Sequence, residues 1–202
     1  MSIQRLLVAT RNRGKLQEFR ALLAGVSIEL CDLSSFPYIT SVAETGDTFT
    51  ENASLKAMGY AGQAGELTIA DDSGLEVEAL DGAPGVFSAR YAGPGASDTE
   101  RVDKLLTELS NLNAGNRAAR FVSVVAVSDS SGTILNVSSG VCKGTIVEAP
   151  RGANGFGYDP IFVPEGFDKT FAELTSQVKN EISHRARAFR GTAKFLRSLT
   201  LR

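Results

Sequence analysis

The sequence is poor in the residues that build histidine metal sites and disulfide frameworks. It has one histidine, His184, which excludes a multi-histidine metal site and leaves a Ser-His-Asp triad with a single candidate base. Its two cysteines, Cys31 and Cys142, are far apart and form no CxxC pattern. We therefore expect two reduced cysteines in or near strands, without a zinc cluster or a disulfide.

The sequence also lacks long runs of one kind. No block of like charge occurs and the net charge is -2, so broad electrostatic capture of nucleic acid is not expected. No apolar run approaches membrane-spanning length, and the start lacks the features of a secretory signal. The composition is that of a globular protein, and 202 residues suit one α/β domain. The sequence predicts a single-domain cytoplasmic enzyme with no membrane or nucleic-acid partner.

Hydrophobic periodicity predicts a β-loop-α-β opening. Strands are expected over residues 3–9 and 27–33, and between them Leu16, Phe19 and Leu23 recur at helical spacing. Another strand over residues 67–70 runs into two adjacent acids, and an extended segment follows over residues 75–80.

Two sequences with capping-box spacing, Thr48-Phe49-Thr50-Glu51 and Ser97-Asp98-Thr99-Glu100, predict two helix starts. These helices are expected to end near residues 63 and 109. The first should turn three apolar side chains inward: Leu55, Met58 and Ala61.

The second half predicts a hairpin and a long final helix. Residues 120–128 and 133–149 are β-rich and are joined by Asp129-Ser130-Ser131-Gly132, which favours a mixed sheet over a purely parallel one. The final helix is expected over residues 181–199. Five apolar residues form its core-facing stripe: Ile182, Ala186, Phe189, Ala193 and Leu196.

The loop after the first strand has features of an anion site. Backbone N–H groups at a helix start favour an anion, and Thr10, Asn12 and Lys15 would add hydrogen bonds and a positive charge. The GxxxxGK[ST] spacing of a P-loop is absent. Taken alone, this loop is explained better by Asn12 as a helix cap and Lys15 as a solvated lysine.

Acidic residues in the first half suit Mg²⁺, which binds a few carboxylates, waters and phosphate oxygens. Asp71 and Asp72 end an apolar strand and should point to opposite faces. Glu44 precedes the helix that contains Glu51, and we favour function for Glu44 and capping for Glu51. For the two aspartates, an Asp-Ser-Gly turn is a serious alternative.

Gly155-Phe156-Gly157-Tyr158-Asp159-Pro160 could present an aromatic face to a flat ring, with Asp159 accepting hydrogen bonds. A tight turn with core aromatics explains this segment equally well. Farther on, Lys179, His184 and Arg185 lie near the start of the final helix, where each cation opposes the macrodipole at a cost of about 0.3–1 kcal/mol. His184 falls off the apolar stripe. This placement favours a ligand site over a solvated basic turn.

Together these segments resemble the inosine-triphosphate pyrophosphatase family, which acts on non-standard purine nucleotides. The similarity covers nearly the whole chain, in order, through these motifs: ATRNRGKLQEF at 9–19, ETGDTFTENASLKA at 44–57, ADDSGLEVEAL at 70–80, GAPGVFSARYAG at 82–93, GFGYDPIF at 155–162, FAEL at 171–174 and KNEISHRARA at 179–188. One departure is Gln177, where relatives often carry an acid.

The resemblance implies an elongated α/β fold with a long mixed sheet, flanking helices and two lobes around a central substrate cleft, and usually a homodimer. It implies Mg²⁺-dependent hydrolysis of ITP, dITP or XTP to the monophosphate and pyrophosphate. Asp72 would accept the proton of the attacking water, and Glu44 and Asp72 would hold Mg²⁺. The implied substrate-binding residues are Thr10, Asn12, Lys15, Ser73, Phe156, Gly157, Tyr158, Asp159, Lys179, His184 and Arg185.

Specificity is expected at the purine 6-position. Buried donors such as Arg185 or His184 would accept a 6-oxo group and would disfavour a 6-amine. Two other functions stay open: a phosphatase or kinase acting on the γ-phosphate, which would give a different product, and a nucleotide sensor that binds without turnover.

Overall fold

The computed structural model describes residues 5–112 and 115–200, and the chain forms two compact units. The first unit takes in Met1–Asp72, Ser123–Gly140 and Arg185–Arg202. The second takes in Ser73–Val122 and Val141–His184. The sequence-based expectation of a single domain stays a prediction.

A six-stranded sheet has the strand order β2-β1-β3-β4-β5-β6. The strands are β1 (Arg5–Val8), β2 (Glu29–Asp32), β3 (Leu67–Val77), β4 (Ala118–Ser128), β5 (Ile134–Ile146) and β6 (Phe162–Pro164). Strand β1 pairs in parallel with β2 and β3, whereas β5 and β6 are antiparallel. The expectation of a mixed sheet is therefore confirmed, and the predicted hairpin is formed by β4 and β5. Of the strand predicted over residues 3–9, the two positions before Arg5 lie outside the described residues.

The helices are α1 (Arg13–Leu23), α2 (Phe49–Ala64), α3 (Asp98–Asn111), α4 (Ser176–Ile182) and α5 (His184–Thr200). Both predicted capping boxes are present, because the side chains of Thr48 and Ser97 accept the N–H groups of Glu51 and Glu100 at 3.1 and 3.2 Å. None of the helices among residues 5–112 and 115–200 is long and apolar enough to cross a membrane.

The inward face of α2 differs from the prediction. Leu55 and Met58 are only half-buried, whereas Ala53, Ala57 and Ala61 are fully buried at helical spacing. The small alanine side chains form the stripe along which this helix packs most closely, and the larger residues flank it. The prediction is confirmed for Ala61 and wrong for Leu55 and Met58, because hydrophobicity alone guided it.

The segment Asp71-Asp72-Ser73-Gly74 lies inside β3, which is continuous over Leu67–Val77. The alternative of an Asp-Ser-Gly turn is therefore wrong. The extended segment expected over residues 75–80 belongs to this same strand as far as Val77. Lysine side chains pair with both aspartates, so these carboxylates are tolerated in a buried strand.

The predicted helix over residues 181–199 is interrupted. Ser183 has an extended backbone, with φ -66° and ψ 159°, and separates α4 from α5. The apolar stripe is confirmed from Ala186 to Leu196, whereas Ile182, before the break, is half-buried.

Each unit has its own core. In the first unit, Leu6, Ile69 and other apolar side chains of the sheet belong to one buried cluster with Phe19 of α1 and Phe189 of α5. In the second, Leu75, Leu105, Phe121 and Phe162 belong to one buried cluster. Full burial of each such side chain contributes about 1.5–3 kcal/mol. Both cysteines are free and lie in strands, as expected: Cys31 in β2 and Cys142 in β5.

Candidate active site

The sequence-predicted site residues gather into two groups, one in each unit. The acidic strand cluster, in the first unit, consists of Lys15, Glu18, Glu44, Lys56, Asp71, Asp72 and Arg185. The ring-loop cluster, in the second unit, consists of Phe156, Gly157, Tyr158, Asp159, Lys179 and His184. Ser73 is half-buried in β3 and belongs to the second unit.

Asp71 is held by two cations. Its Oδ2 lies 3.0 Å from Lys15 Nζ and 3.3 Å from Arg185 Nε, and the side chain is 1% exposed. Burial raises the pKa of Asp71, but Lys15 and Arg185 outweigh burial and leave the pKa well below its ordinary value. Asp71 is therefore a permanent carboxylate that organises positive charge around it.

The guanidinium of Arg185 also pairs with Glu18 on α1. Burial lowers the pKa of Arg185, yet Glu18 and Asp71 together raise it above its ordinary value. The alternative of a solvated basic turn is wrong for Arg185, whose side chain is 2% exposed. The predicted role of Arg185 as a donor to the base stays a prediction.

Asp72 has a different partner. Its Oδ1 lies 2.8 Å from Lys56 Nζ, which is also 3.4 Å from Glu44 Oε1. Burial raises the pKa of Asp72 above its ordinary value, and Lys56 offsets only part of this effect. The neighbouring aspartates thus have opposite pKa shifts. At Asp71 the cations outweigh burial, whereas at Asp72 burial outweighs Lys56 and Lys15, and Glu44 adds to the rise.

Sequence analysis missed Lys56. It is 8% exposed and lies on the buried side of α2. Burial lowers its pKa, but Asp72, Asp71 and Glu44 reverse the effect and raise it. The available signal was its position between Ala53 and Ala57 on the alanine stripe, where a solvated lysine is out of place.

The first loop has the cap that local chemistry predicts. Asn12 Oδ1 accepts the N–H of Lys15 at 3.0 Å, and Thr10 Oγ1 accepts the N–H of Asn12 at 3.2 Å. Lys15 is not a solvated lysine, since its side chain is 16% exposed and paired with Asp71. Burial lowers the pKa of Lys15, and Arg185 and Lys56 add to the lowering while Asp71 opposes it.

Glu44 and Asp72 fit a Mg²⁺ site. Asp72 Oδ2 is buried and has no hydrogen-bond partner among the described residues, and Glu44 is about one-third exposed. Over residues 5–112 and 115–200, no group of three or more His, Cys, Asp or Glu side chains is placed to hold a metal. Two carboxylates suit an ion that takes one or two of them and fills its other positions with water and phosphate oxygens.

In the ring-loop cluster, Asp159 connects the glycine-flanked loop to α4. Its Oδ2 accepts the N–H of Phe156 at 2.9 Å and lies 2.5 Å from Lys179 Nζ. Lys179 Nζ also lies 4.8 Å from the centre of the half-buried Phe156 ring. A Cβ at Gly155, whose φ is +77°, would come within 2.0 Å of Asp159 Oδ2, so this turn requires glycine.

Two predicted ligand residues are packed more deeply than expected. Tyr158 is 4% exposed and its hydroxyl donates to the carbonyl of Ser88 at 3.0 Å, so its ring belongs to the core. His184 is 3% exposed and stacks on Phe121, with ring centres 4.6 Å apart and planes at 10°. The expectation that His184 lies away from the core is therefore wrong. Phe156 is the partly accessible aromatic ring of the loop.

A mixed sheet whose third strand carries two adjacent buried carboxylates, each paired with a lysine from a flanking helix, defines an α/β protein with a buried charged site. A family model described as the Ham1 family matches residues 6–195, and the chain belongs to that family.

Several known proteins are similar to this chain over most of their length. A dITP/XTP pyrophosphatase of Bacillus cereus is 48% identical over 193 residues, which cover 94% of this chain and 93% of the relative. A solved HAM1 protein from Coxiella burnetii is 41% identical, with a TM-score of 0.88 and coverage of 97% and 100% of the two chains. A Mycobacterium abscessus structure named nucleoside-triphosphatase / dITP/XTP pyrophosphatase is 42% identical, with a TM-score of 0.72 and coverage of 95% and 97%.

Proposed function

We propose that this protein hydrolyses non-standard purine nucleoside triphosphates, namely ITP, dITP and XTP, to the monophosphate and pyrophosphate. Family membership and the names of the relatives support the class of substrate. The observation that carries the proposal is the opposite environment of two adjacent carboxylates, Asp71 and Asp72. We further propose a cytoplasmic homodimer that acts without membrane or nucleic-acid partners.

Three buried cations, Lys15, Lys56 and Arg185, supply the positive charge that a triphosphate requires. Each is paired with a carboxylate, so the cluster is close to neutral and selects a ligand by placement of charge. Lys15 would contact the phosphates from the start of α1, where Thr10 and the helix N–H groups add donors. Arg185 would still balance the negative charge of Asp71 when Lys15 binds a phosphate group.

Asp72 acts as the general base for attack at the α-phosphorus. Its Oδ1 is held by Lys56, whereas its buried Oδ2 has no competing hydrogen bond from the described residues and is open to the attacking water. Asp71 cannot take this role, because Lys15 and Arg185 lower its pKa. Lys15 offsets charge that develops on the leaving pyrophosphate.

Glu44 and Asp72 would hold Mg²⁺, which when bound supplies charge neutralisation at phosphate oxygens. Lys56 pairs with both carboxylates and keeps them close together.

The ring-loop cluster would recognise the base and sugar. The Phe156 ring is partly accessible, so a purine could stack on the face that Lys179 does not cover. The carbonyl of Gly157 and the side chains of Asp159 and Lys179 would offer hydrogen bonds. The packing of Tyr158 and His184 supports these groups from the core.

The test is turnover of a nucleotide panel by the purified protein, with and without Mg²⁺, with both products identified. We expect ITP, dITP and XTP to give monophosphate and pyrophosphate in the presence of Mg²⁺, with ATP far slower. Release of orthophosphate would instead support attack at the γ-phosphorus. Binding without turnover at every Mg²⁺ concentration would support a sensor.

A further inference from the structure

Asp98, the first residue of α3, has a carboxylate that the helix cap does not use. The capping box of α3 is formed by Ser97 and Glu100, whose side chains satisfy the first N–H groups. The Asp98 carboxylate instead reaches the glycine-flanked loop of the same unit, where its Oδ2 accepts the N–H of Gly157 at 2.7 Å.

The other oxygen of Asp98 is held by Arg101, one helical turn along α3. Arg101 is itself fixed, since its Nη1 donates to the carbonyls of Ala89 and Ala96 at 3.0 and 2.5 Å. The N–H of Gly157 therefore donates to a carboxylate whose other oxygen is held by Arg101.

The loop carries two consecutive N–H groups that are held by carboxylates. Asp159, within the loop, accepts from Phe156, and Asp98, from α3, accepts from Gly157. Gly157 has a φ of +62°, a conformation that few side chains adopt. The backbone that carries the Phe156 ring is therefore held at one amide by its own loop and at the next amide by α3.

We propose that Asp98 is a positioning residue for the purine-binding face of Phe156, an inference that rests on the proposed function. Asp98 acts through the Gly157 amide and does not touch the substrate. Loss of its carboxylate frees the backbone N–H of Gly157, next to Phe156, while the Tyr158 hydroxyl still donates to the carbonyl of Ser88. Affinity for the base should fall, and the chemistry at the acidic strand cluster should continue.

The experiment compares Asp98→Ala and Asp98→Asn with the wild type, using ITP as substrate. In Asp98→Ala, we expect the KM to rise about tenfold with kcat unchanged, because the Gly157 amide loses one hydrogen bond to a charged acceptor. In Asp98→Asn, the amide oxygen can still accept the N–H of Gly157, so the KM should lie between those of the wild type and Asp98→Ala. The Gly157 amide should exchange with solvent faster in Asp98→Ala.

Asp103→Ala is the matched control, because it removes an exposed carboxylate from the same helix. It should leave KM unchanged. A wild-type KM in both Asp98 variants, or a fall in kcat alone, would overturn the positioning role while leaving the proposed function intact. Absence of ITP turnover by the wild type would refute the proposed function itself and, with it, this inference.

Discussion

Lys56 Nζ lies 2.8 Å from Asp72 Oδ1, and this buried pair joins α2 to the strand that carries the proposed general base. The ammonium group lowers the pKa of Asp72 and so offsets part of the rise that burial causes. It also reaches Glu44, so one lysine connects both carboxylates that are proposed to hold Mg²⁺.

Replacing the proposed base should abolish turnover but not binding. Asp72→Asn keeps the size of the side chain and loses the proton acceptor, so kcat for ITP should fall about 100- to 10,000-fold. Calorimetric titration with ITP should still detect binding. Turnover at the wild-type rate would remove Asp72 from the mechanism.

Removing Lys56 should shift the acid side of the pH–rate profile. Lys56 lowers the pKa of Asp72, so Lys56→Met should raise that pKa, and activity should be lost at a higher pH than in the wild type. The profile of kcat/KM for ITP between pH 5 and pH 9 measures the shift. If activity were lost at the same acidic pH in Lys56→Met and in the wild type, Lys56 would not act on the titrating group.

The local chemistry of helix ends was predictable from sequence, whereas the pairing of distant charges was not. The caps at Asn12 and Thr48 depend on neighbours within three residues, and both formed as expected. The burial of Lys56 depends on Asp72, 16 residues away, and the Asp71–Arg185 pair joins residues 114 apart. Spacing rules along one helix cannot detect such partners.

Two further departures from the sequence-based expectations concern the backbone. Asp71-Asp72-Ser73-Gly74 has the composition of a turn, but pairing with Lys15 and Lys56 makes a buried strand possible there. The periodicity of α5 continues back to Ile182, yet the extended backbone of Ser183 breaks the helix. The motif resemblance predicted a set of site residues, and it did not show that Tyr158 among them is a core side chain.

Asp71 should contribute stability that is lost in acid. Its folded pKa lies below its unfolded value, so the contribution is fully present above the unfolded pKa, about 3.9, and falls as the pH drops through the folded pKa. Asp71→Asn leaves Lys15 and Arg185 with one fewer carboxylate and should cost about 3–5 kcal/mol at pH 7.

Urea unfolding at pH 7 and at pH 3 measures this effect. The wild type should lose more stability between these values than Asp71→Asn does. Asp103→Asn, an exposed control, should keep the wild-type pH dependence. Equal pH dependence in the wild type and Asp71→Asn would contradict the ion-pair account.

Gly155→Ala should disturb the ring loop, because its new Cβ would meet Asp159 and the backbone φ of +77° is strained for alanine. We expect a cost of about 1–3 kcal/mol in unfolding free energy and a higher KM for ITP. Gly62→Ala in α2, where a Cβ meets nothing within 4 Å, should stabilise by about 0.5–1 kcal/mol. Similar effects of the two substitutions would contradict the role given to Gly155.

The most direct test of the central claim is to follow the oxygen of the attacking water. Hydrolysis of ITP in water enriched in ¹⁸O, with mass spectrometry of both products, identifies the phosphorus that is attacked. Attack at the α-phosphorus, assisted by Asp72, predicts the label in inosine monophosphate and none in pyrophosphate. Label in pyrophosphate, or in released orthophosphate, would contradict it.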